Sequence, residues 1–278
     1  FILMVITKKN LNSSLKKRKT VKKRQNKSSI DFSKVKFKKN DVLGEGAYSK
    51  VYKFRYSSKK VNNKYVVKRI KVLFLKKFLG ENSNKAIKEL FNNELKALIH
   101  LSKKGISPKI YGTFADIKNN KLYYVLEKLD YTLGYMLRNN LFKPYHTNKI
   151  IYLLKIMLKT KYRHTDLHIE NIMFSKKENK FKLIDFGHHT ELTKHDSQGY
   201  FTEISGKHNK LLIDKRKGYE RAILGTSGAS ALSEIYKYLS KKSLKNKDAA
   251  FYLLKLQKFL KESISKKDYE NIFKILNN

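Results

Sequence analysis

Eight consecutive residues, His164-Thr165-Asp166-Leu167-His168-Ile169-Glu170-Asn171, carry more chemistry than any other stretch of the chain. They join a predicted helix over residues 146–161 to a predicted strand around 172–174. A polar run of this density is not core material, so the fold must hold it in a loop whose apolar flanks are buried. Asp166 can accept a hydroxyl proton, and Asn171, five residues on, can supply an oxygen to a metal ion. Fourteen residues after Asn171, Leu183-Ile184-Asp185-Phe186-Gly187 puts another carboxylate at the end of an apolar strand. Two protein oxygens, from Asn171 and Asp185, completed by phosphate and water oxygens, suit Mg²⁺. His164 reads as a buried residue anchoring the loop. His168 is open between touching a phosphate and capping the loop.

Two further patterns precede this loop. Leu43-Gly44-Glu45-Gly46-Ala47-Tyr48-Ser49-Lys50-Val51 lies between two predicted strands. Glycines there let backbone amides approach phosphate oxygens, although an ordinary hairpin turn would use them too. A dinucleotide fold would place a helix after such a turn, and a strand follows here instead. Lys68 ends the apolar strand run Tyr65-Val66-Val67-Lys68. A lysine inside an apolar strand is costly without a partner, and a phosphate with a carboxylate would satisfy it. Glu94, or failing it Glu89, on the following predicted helix is the candidate carboxylate. An edge-strand lysine facing solvent is the alternative, kept open by Arg69 and Lys71.

The chain has 278 residues, with 63 Lys and Arg against 23 Asp and Glu, a net charge of +40. Residues 8–27 hold ten Lys and Arg and no acid. Residues 1–30 are therefore expected to be a basic disordered tail with non-specific contacts to polyanions such as nucleic acid. Removing those ten cations leaves +30, so the folded body is basic as well. Hydrophobic residues make up 41%, enough for a core. The absence of cysteine excludes disulfides, thiolate zinc sites and a cysteine nucleophile. No membrane span is expected: the longest apolar candidate, residues 150–158, is short and carries Lys155. The opening apolar run, residues 1–6, is about half the length of a signal-peptide core. Strands are expected over 35–37, 41–43, 50–56, 65–72, 110–114 and 122–127, with one helix over 85–103 stopped by Gly105 and Pro108. After short strands at 172–174 and 181–184, the chain beyond Thr190 reads as irregular for some 25 residues. Helices are expected near 221–239, 249–261 and 267–276.

Taken in order, these motifs over roughly residues 35–190 resemble the eukaryotic-type protein kinase superfamily. The resemblance implies an α+β, two-lobed fold over 31–278. Its small β-rich N-lobe with one main helix would cover about 31–127, and its mostly helical C-lobe about 131–278. It implies ATP and Mg²⁺ as cofactors. Gly44, Gly46 and Ser49 would cover the phosphates and Val51 would pack on adenine. Lys68 would hold the phosphates and pair with Glu94. Leu126 would back the nucleotide pocket, Glu127 to Leu129 would form the hinge, and Asp130 would lie just beyond. Asp166 would be the catalytic base, with Asn171 and Asp185 as metal ligands.

Several residues depart from that family pattern. Ser49 stands for the third glycine, Val66 for an alanine, Thr165 for the arginine before the catalytic aspartate, and His168 for the lysine two residues after it. No Ala-Pro-Glu closes the activation segment. The resemblance implies a divergent compact Ser/Thr protein kinase acting on a protein substrate, similar to those of large DNA viruses. The expected location is then intracellular and cytoplasmic, with a viral factory or virion as variants. Asp-Leu-His-x-x-Asn is also similar to small-molecule kinases of the aminoglycoside and choline kinase type. A pseudokinase scaffold is the third alternative.

Overall fold

Apolar residues at every second position set the first sheet: Tyr52 and Phe54 are buried on one strand, Val67 on the next, and Tyr123 and Val125 on a third. The computed structural model describes residues 35, 38–46, 49–56, 60–72, 83–116, 121–160, 162–164, 166–186, 189–195, 200–204, 210–214 and 231–263. The basic tail, Thr165, Gly187, residues 225–228 and the helix expected over 267–276 lie outside them. Five strands form an antiparallel sheet: β1 (Val42–Glu45), β2 (Ser49–Tyr56), β3 (Lys60–Ile70), β4 (Ile110–Asp116) and β5 (Lys121–Glu127). Their order is β1-β2-β3-β5-β4, which makes β3 the central strand. Phe54, Val67, Phe114, Tyr123 and Val125 make its core, with Phe114 and Tyr123 stacked 4.3 Å apart. Before β1, the buried carboxylate of Asp41 accepts two bonds from the Arg55 guanidinium, at 2.6 and 2.8 Å. These bonds hold the Asp41 carboxyl below the usual range against the opposing effect of burial.

The helix expected over 85–103 is present as α1 (Ser83–Lys103). Gly105, at φ +73°, takes the left-handed turn that ends it, and Ile106 N–H donates back to Leu101 O at 3.0 Å. The described residues cluster into two units. One comprises residues up to 89 together with 109–128; the other comprises 90–108 together with 129 onward. Residues 90–103 of α1, expected in the first lobe, therefore cluster with the second unit.

The second unit contains β6 (Tyr131–Thr132), α2 (Leu133–Arg138), α3 (His146–Leu158), β7 (Tyr162–His164), β8 (Ile172–Ser175) and β9 (Lys180–Leu183). It continues with β10 (His189–His195), β11 (Tyr200–Ile204), β12 (Lys210–Asp214), α4 (Ala231–Ser243) and α5 (Lys247–Ser263). Two small antiparallel sheets, β6-β8-β9 and β12-β11-β10-β7, accompany the helices. The stretch beyond Thr190, expected to be irregular, is thus a three-strand meander. Its first strand is anchored non-locally, β10 pairing with β7, His189 opposite His164 and Glu191 opposite Tyr162, and the pairings of β10 with β11 and of β11 with β12 extend it. A polar strand of this kind is set by its pairing partner and not by its own pattern. No helix among the described residues is long and apolar enough to cross a membrane.

His146 starts α3. Its N–H donates to Lys143 O and its Nδ1 accepts from Lys143 N–H, both at 2.9 Å. The ring is buried among Phe142, Phe174 and Phe181. Burial, aided by the charges of Lys149 and Lys143, pushes its pKa down to about 4. The folded value lies below the unfolded one, so the unfolded chain takes the proton first. The stabilisation is therefore complete above about pH 6.5 and is lost as pH falls toward about 4, at up to about 1.4 kcal/mol per pH unit. Urea midpoints measured across that window should fall for the wild-type chain and fall less for His146→Gln. Parallel curves would show that this imidazole is not the titrating group.

Candidate active site

The first unit carries the glycine loop and the strand lysine. The β1–β2 turn is closed by Gly46 N–H donating to Ser49 O at 2.9 Å. Glu45 pairs with Lys50 at 2.8 Å and Lys71 at 2.6 Å, and Lys71 Nζ also donates to Gly46 O. Hydrogen bonds from Lys50, then Lys71, hold the Glu45 carboxyl below its usual range. A side chain at Gly44 or Gly46 would meet nothing within 4 Å, so internal packing does not demand glycine at either position. The open space leaves room for a phosphate group to approach the backbone.

Lys68 lies near the C-terminal end of β3, opposite Val51 on β2 and Tyr124 on β5, and is only 6% exposed. A central strand and this burial rule out the solvent-facing edge lysine. Leu126 is buried opposite Val66, and Ser49 is buried at the start of β2. Glu127 is fixed by its N–H donating to Lys109 O at 2.8 Å and by its Oε2 accepting from Lys109 N–H at 3.0 Å.

In the second unit Glu94 and Leu129 are buried. The Asp130 carboxylate accepts from Lys176 N–H at 2.7 Å, while its own N–H donates to Phe174 O at 3.0 Å. The polar loop between β7 and β8 is a hydrogen-bonded frame. Asn171 Nδ2 donates to Asp166 O at 2.9 Å and reaches Asp166 Oδ2 at 3.4 Å. His168 Nε2 lies 2.9 Å from Asn171 Nδ2 and 3.5 Å from Asp166 Oδ2, so the ring caps the loop from within. Ala231 N–H, at the start of α4, donates to Leu167 O at 3.1 Å and ties that helix to the loop.

His164 joins this loop to the strand end that carries Asp185. Its Nδ1 accepts from Asp166 N–H at 3.3 Å and its Nε2 lies 2.7 Å from Ile184 O. Accepting at Nδ1 puts the proton on Nε2, which donates to Ile184 O, so the ring is neutral. Burial pushes its pKa down, in keeping with that state. Ile184 N–H in turn donates to Asn171 O at 2.9 Å. Phe186 is buried with its ring 5.0 Å from that of His164. Asp185 thus sits exposed between two fixed neighbours, in the left-handed region at φ +59°. Aspartate is among the few non-glycine residues that adopt this region readily.

The donor chemistry fits a magnesium ion. Asn171 turns its Nδ2 to Asp166, which leaves Oδ1 as the atom for a cation, and Asp185 presents an exposed carboxylate. Among the described residues no group of three or more His, Asp or Glu converges. Asn171 and Asp185 would hold Mg²⁺ as two hard oxygen donors, with phosphate and water oxygens completing its shell.

Glu170 has a role that the motif spacing does not reveal. It pairs with Arg138 at 2.9 Å, and its carboxylate occupies the place where a Cβ on Gly134 would lie. Burial raises its pKa, but hydrogen bonds with Thr132 and Arg138 outweigh that and hold it low. Gly134 N–H donates to Ile169 O at 3.1 Å, so α2 rests directly on the loop backbone. No local signal points to this contact, since glycine in the first turn of a helix is commonplace and its partner lies 36 positions on.

The model of the protein kinase domain family matches residues 37–209. With more than half of its length matched, the chain belongs to the protein kinase domain family, whose chemistry is ATP-dependent phosphoryl transfer. No curated protein matches it. Among solved structures it is similar to that of a Stt7 homolog from Micromonas algae soaked with ATP, at 15% identity and a TM-score of 0.43. The similarity covers 64% of this chain and 56% of that one.

Replacing His164 by Phe should keep a ring beside Phe186 while removing both bonds. Stability should fall by about 1–3 kcal/mol, the cost of leaving buried backbone groups unpaired. Amide exchange at Asp166 should accelerate. An unchanged denaturation midpoint with unchanged exchange would show that the imidazole does not hold the loop.

Proposed function

We propose that the chain is a Mg²⁺-dependent Ser/Thr protein kinase. The observation that supports this reading is the shared frame of the loop: Asp166, Asn171 and the residue before Asp185 are joined through His164 and direct hydrogen bonds. Such a frame keeps a base and two oxygen donors in fixed register, which is what phosphoryl transfer asks of a protein. Asp166 accepts the proton of the acceptor hydroxyl as that oxygen bonds to the γ-phosphorus and the bond to the ADP oxygen breaks. Asn171 and Asp185 would hold Mg²⁺, which would supply charge neutralisation on the phosphates. Gly44, Gly46 and Ser49 cover the phosphates and Lys68 positions them. On this reading Val51, Leu126 and Glu127 of the first unit, and Leu129 and Asp130 of the second, are the residues assigned to adenine and ribose.

A small-molecule phosphotransferase is the second reading, favoured by His168 two residues after Asp166. Labelled ATP with Mg²⁺, Ser-, Thr- and Tyr-containing peptides and an aminoalcohol panel separates the two. Label should enter Ser and Thr peptides. Label confined to aminoalcohols would establish the second reading, and label confined to Tyr would overturn the specificity. Asp166→Asn and Asp185→Asn should each lower turnover by about 10²-fold or more, with little change in melting temperature. Undiminished transfer by either variant would remove that residue from the mechanism.

A further inference from the structure

Away from the polar loop, α3 and α5 form a groove whose chemistry the phosphotransfer reading does not use. Asn148, Ile151 and Lys155 recur at helical spacing on α3, as do Phe251, Lys255, Lys258 and Glu262 on α5. Between the helices lies a cavity of about 290 Å³. Ile151 and Phe259, both buried, form its floor, and Lys155, Lys255 and Lys258 line its rim with Glu262. Lys155 Nζ stands 5.8 Å from the ring of Phe259, and Lys255 Nζ 4.4 Å from that of Phe251. Lys258 and Glu262 are 3.9 Å apart, which leaves the rim with a net positive charge. Beside it, Tyr152 is 68% exposed, Leu254 65% and Phe251 52%. Single exposed apolar residues are ordinary, but several around one apolar-floored cavity mark an interaction surface.

The cavity is at the lower limit of small-molecule pockets, which run to roughly 300–1,000 Å³, and suits one bulky side chain. Its cations ring a hole. A surface for nucleic acid would set them in a stripe that follows a backbone. An apolar floor offers nothing to a phosphate, and Glu262 repels one. A peptide whose apolar side chain enters the cavity while flanking carboxylates meet Lys155, Lys255 and Lys258 satisfies both features.

We propose that this groove docks an acidic segment of a protein partner through one bulky apolar anchor residue. The test is fluorescence anisotropy on the full chain, with a labelled peptide in which one Leu is flanked by Asp and Glu. Affinity should fall about tenfold or more when that Leu becomes Ser, and when the acids become Asn and Gln. It should fall as much in the Lys155→Glu/Lys255→Glu double variant. Both lysines are exposed, and an unchanged melting temperature would confirm that the variant folds. If reversal costs stability, Lys155→Ala with Lys255→Ala serves in its place. A single-stranded oligonucleotide should bind the wild-type and variant chains alike. Peptide affinity indifferent to the Leu or to the two lysines would overturn the proposal. So would an oligonucleotide that loses affinity in step with the peptide, since the groove would then be a nucleic-acid surface.

Discussion

The imidazole of His164 is the joint on which the second unit's polar residues depend. One nitrogen accepts from the backbone of Asp166 and the other donates to the carbonyl of Ile184, one residue before Asp185. Only a neutral ring can do both, and full burial keeps it neutral. Because Ile184 also donates to Asn171, the three candidate chemical groups share one hydrogen-bonded circuit. None of their positions rests on a long flexible side chain. The backbone is fixed first, and each carboxylate or amide then projects from a fixed point.

Lys68 poses the same problem in the first unit, solved by a different means. A buried ammonium on a central strand loses its hydration and cannot swing to water without leaving the sheet. β2 and β5 flank it on both sides, so its stem is held by strand register. The glycine turn beside it is held by ion pairs of Glu45 with Lys50 and Lys71, which sit partly in water and contribute modestly. Lys68 is thus placed by burial on the sheet, and the turn residues Glu45 and Gly46 by contacts with Lys50, Lys71 and Ser49.

Much of this was legible in the residues. The turn at 43–51, the lysine strand, the helix ended by Gly105 and the loop at 164–171 each carry a local signal, and each sits on the kind of element expected. His164 was readable as a structural histidine from its place ahead of the loop. The meander of β10 to β12 was not. Thr190, Glu191, Thr193 and Lys194 give no apolar alternation; Thr190 and Glu191 owe their strand state to pairing with β7, and Thr193 and Lys194 to pairing with β11. Glu170 was also silent, because the residue that explains it, Gly134, lies 36 positions earlier in the chain. The Glu170 contact and the β7 edge of the meander involve partners distant in sequence, where spacing carries no information.

The pairing of Gly134 with Glu170 restricts how this chain can evolve. A side chain at position 134 would meet a carboxylate that is already anchored by Arg138. A shorter residue at 170 would merely open a gap. Growth at 134 has to displace the tips of two partly exposed side chains, Glu170 and Arg138, so it costs their ion pair before it costs the backbone. A larger residue at 134 in a related sequence should therefore go with loss of that pairing, either through a shorter residue at 170 or through a carboxylate turned to solvent.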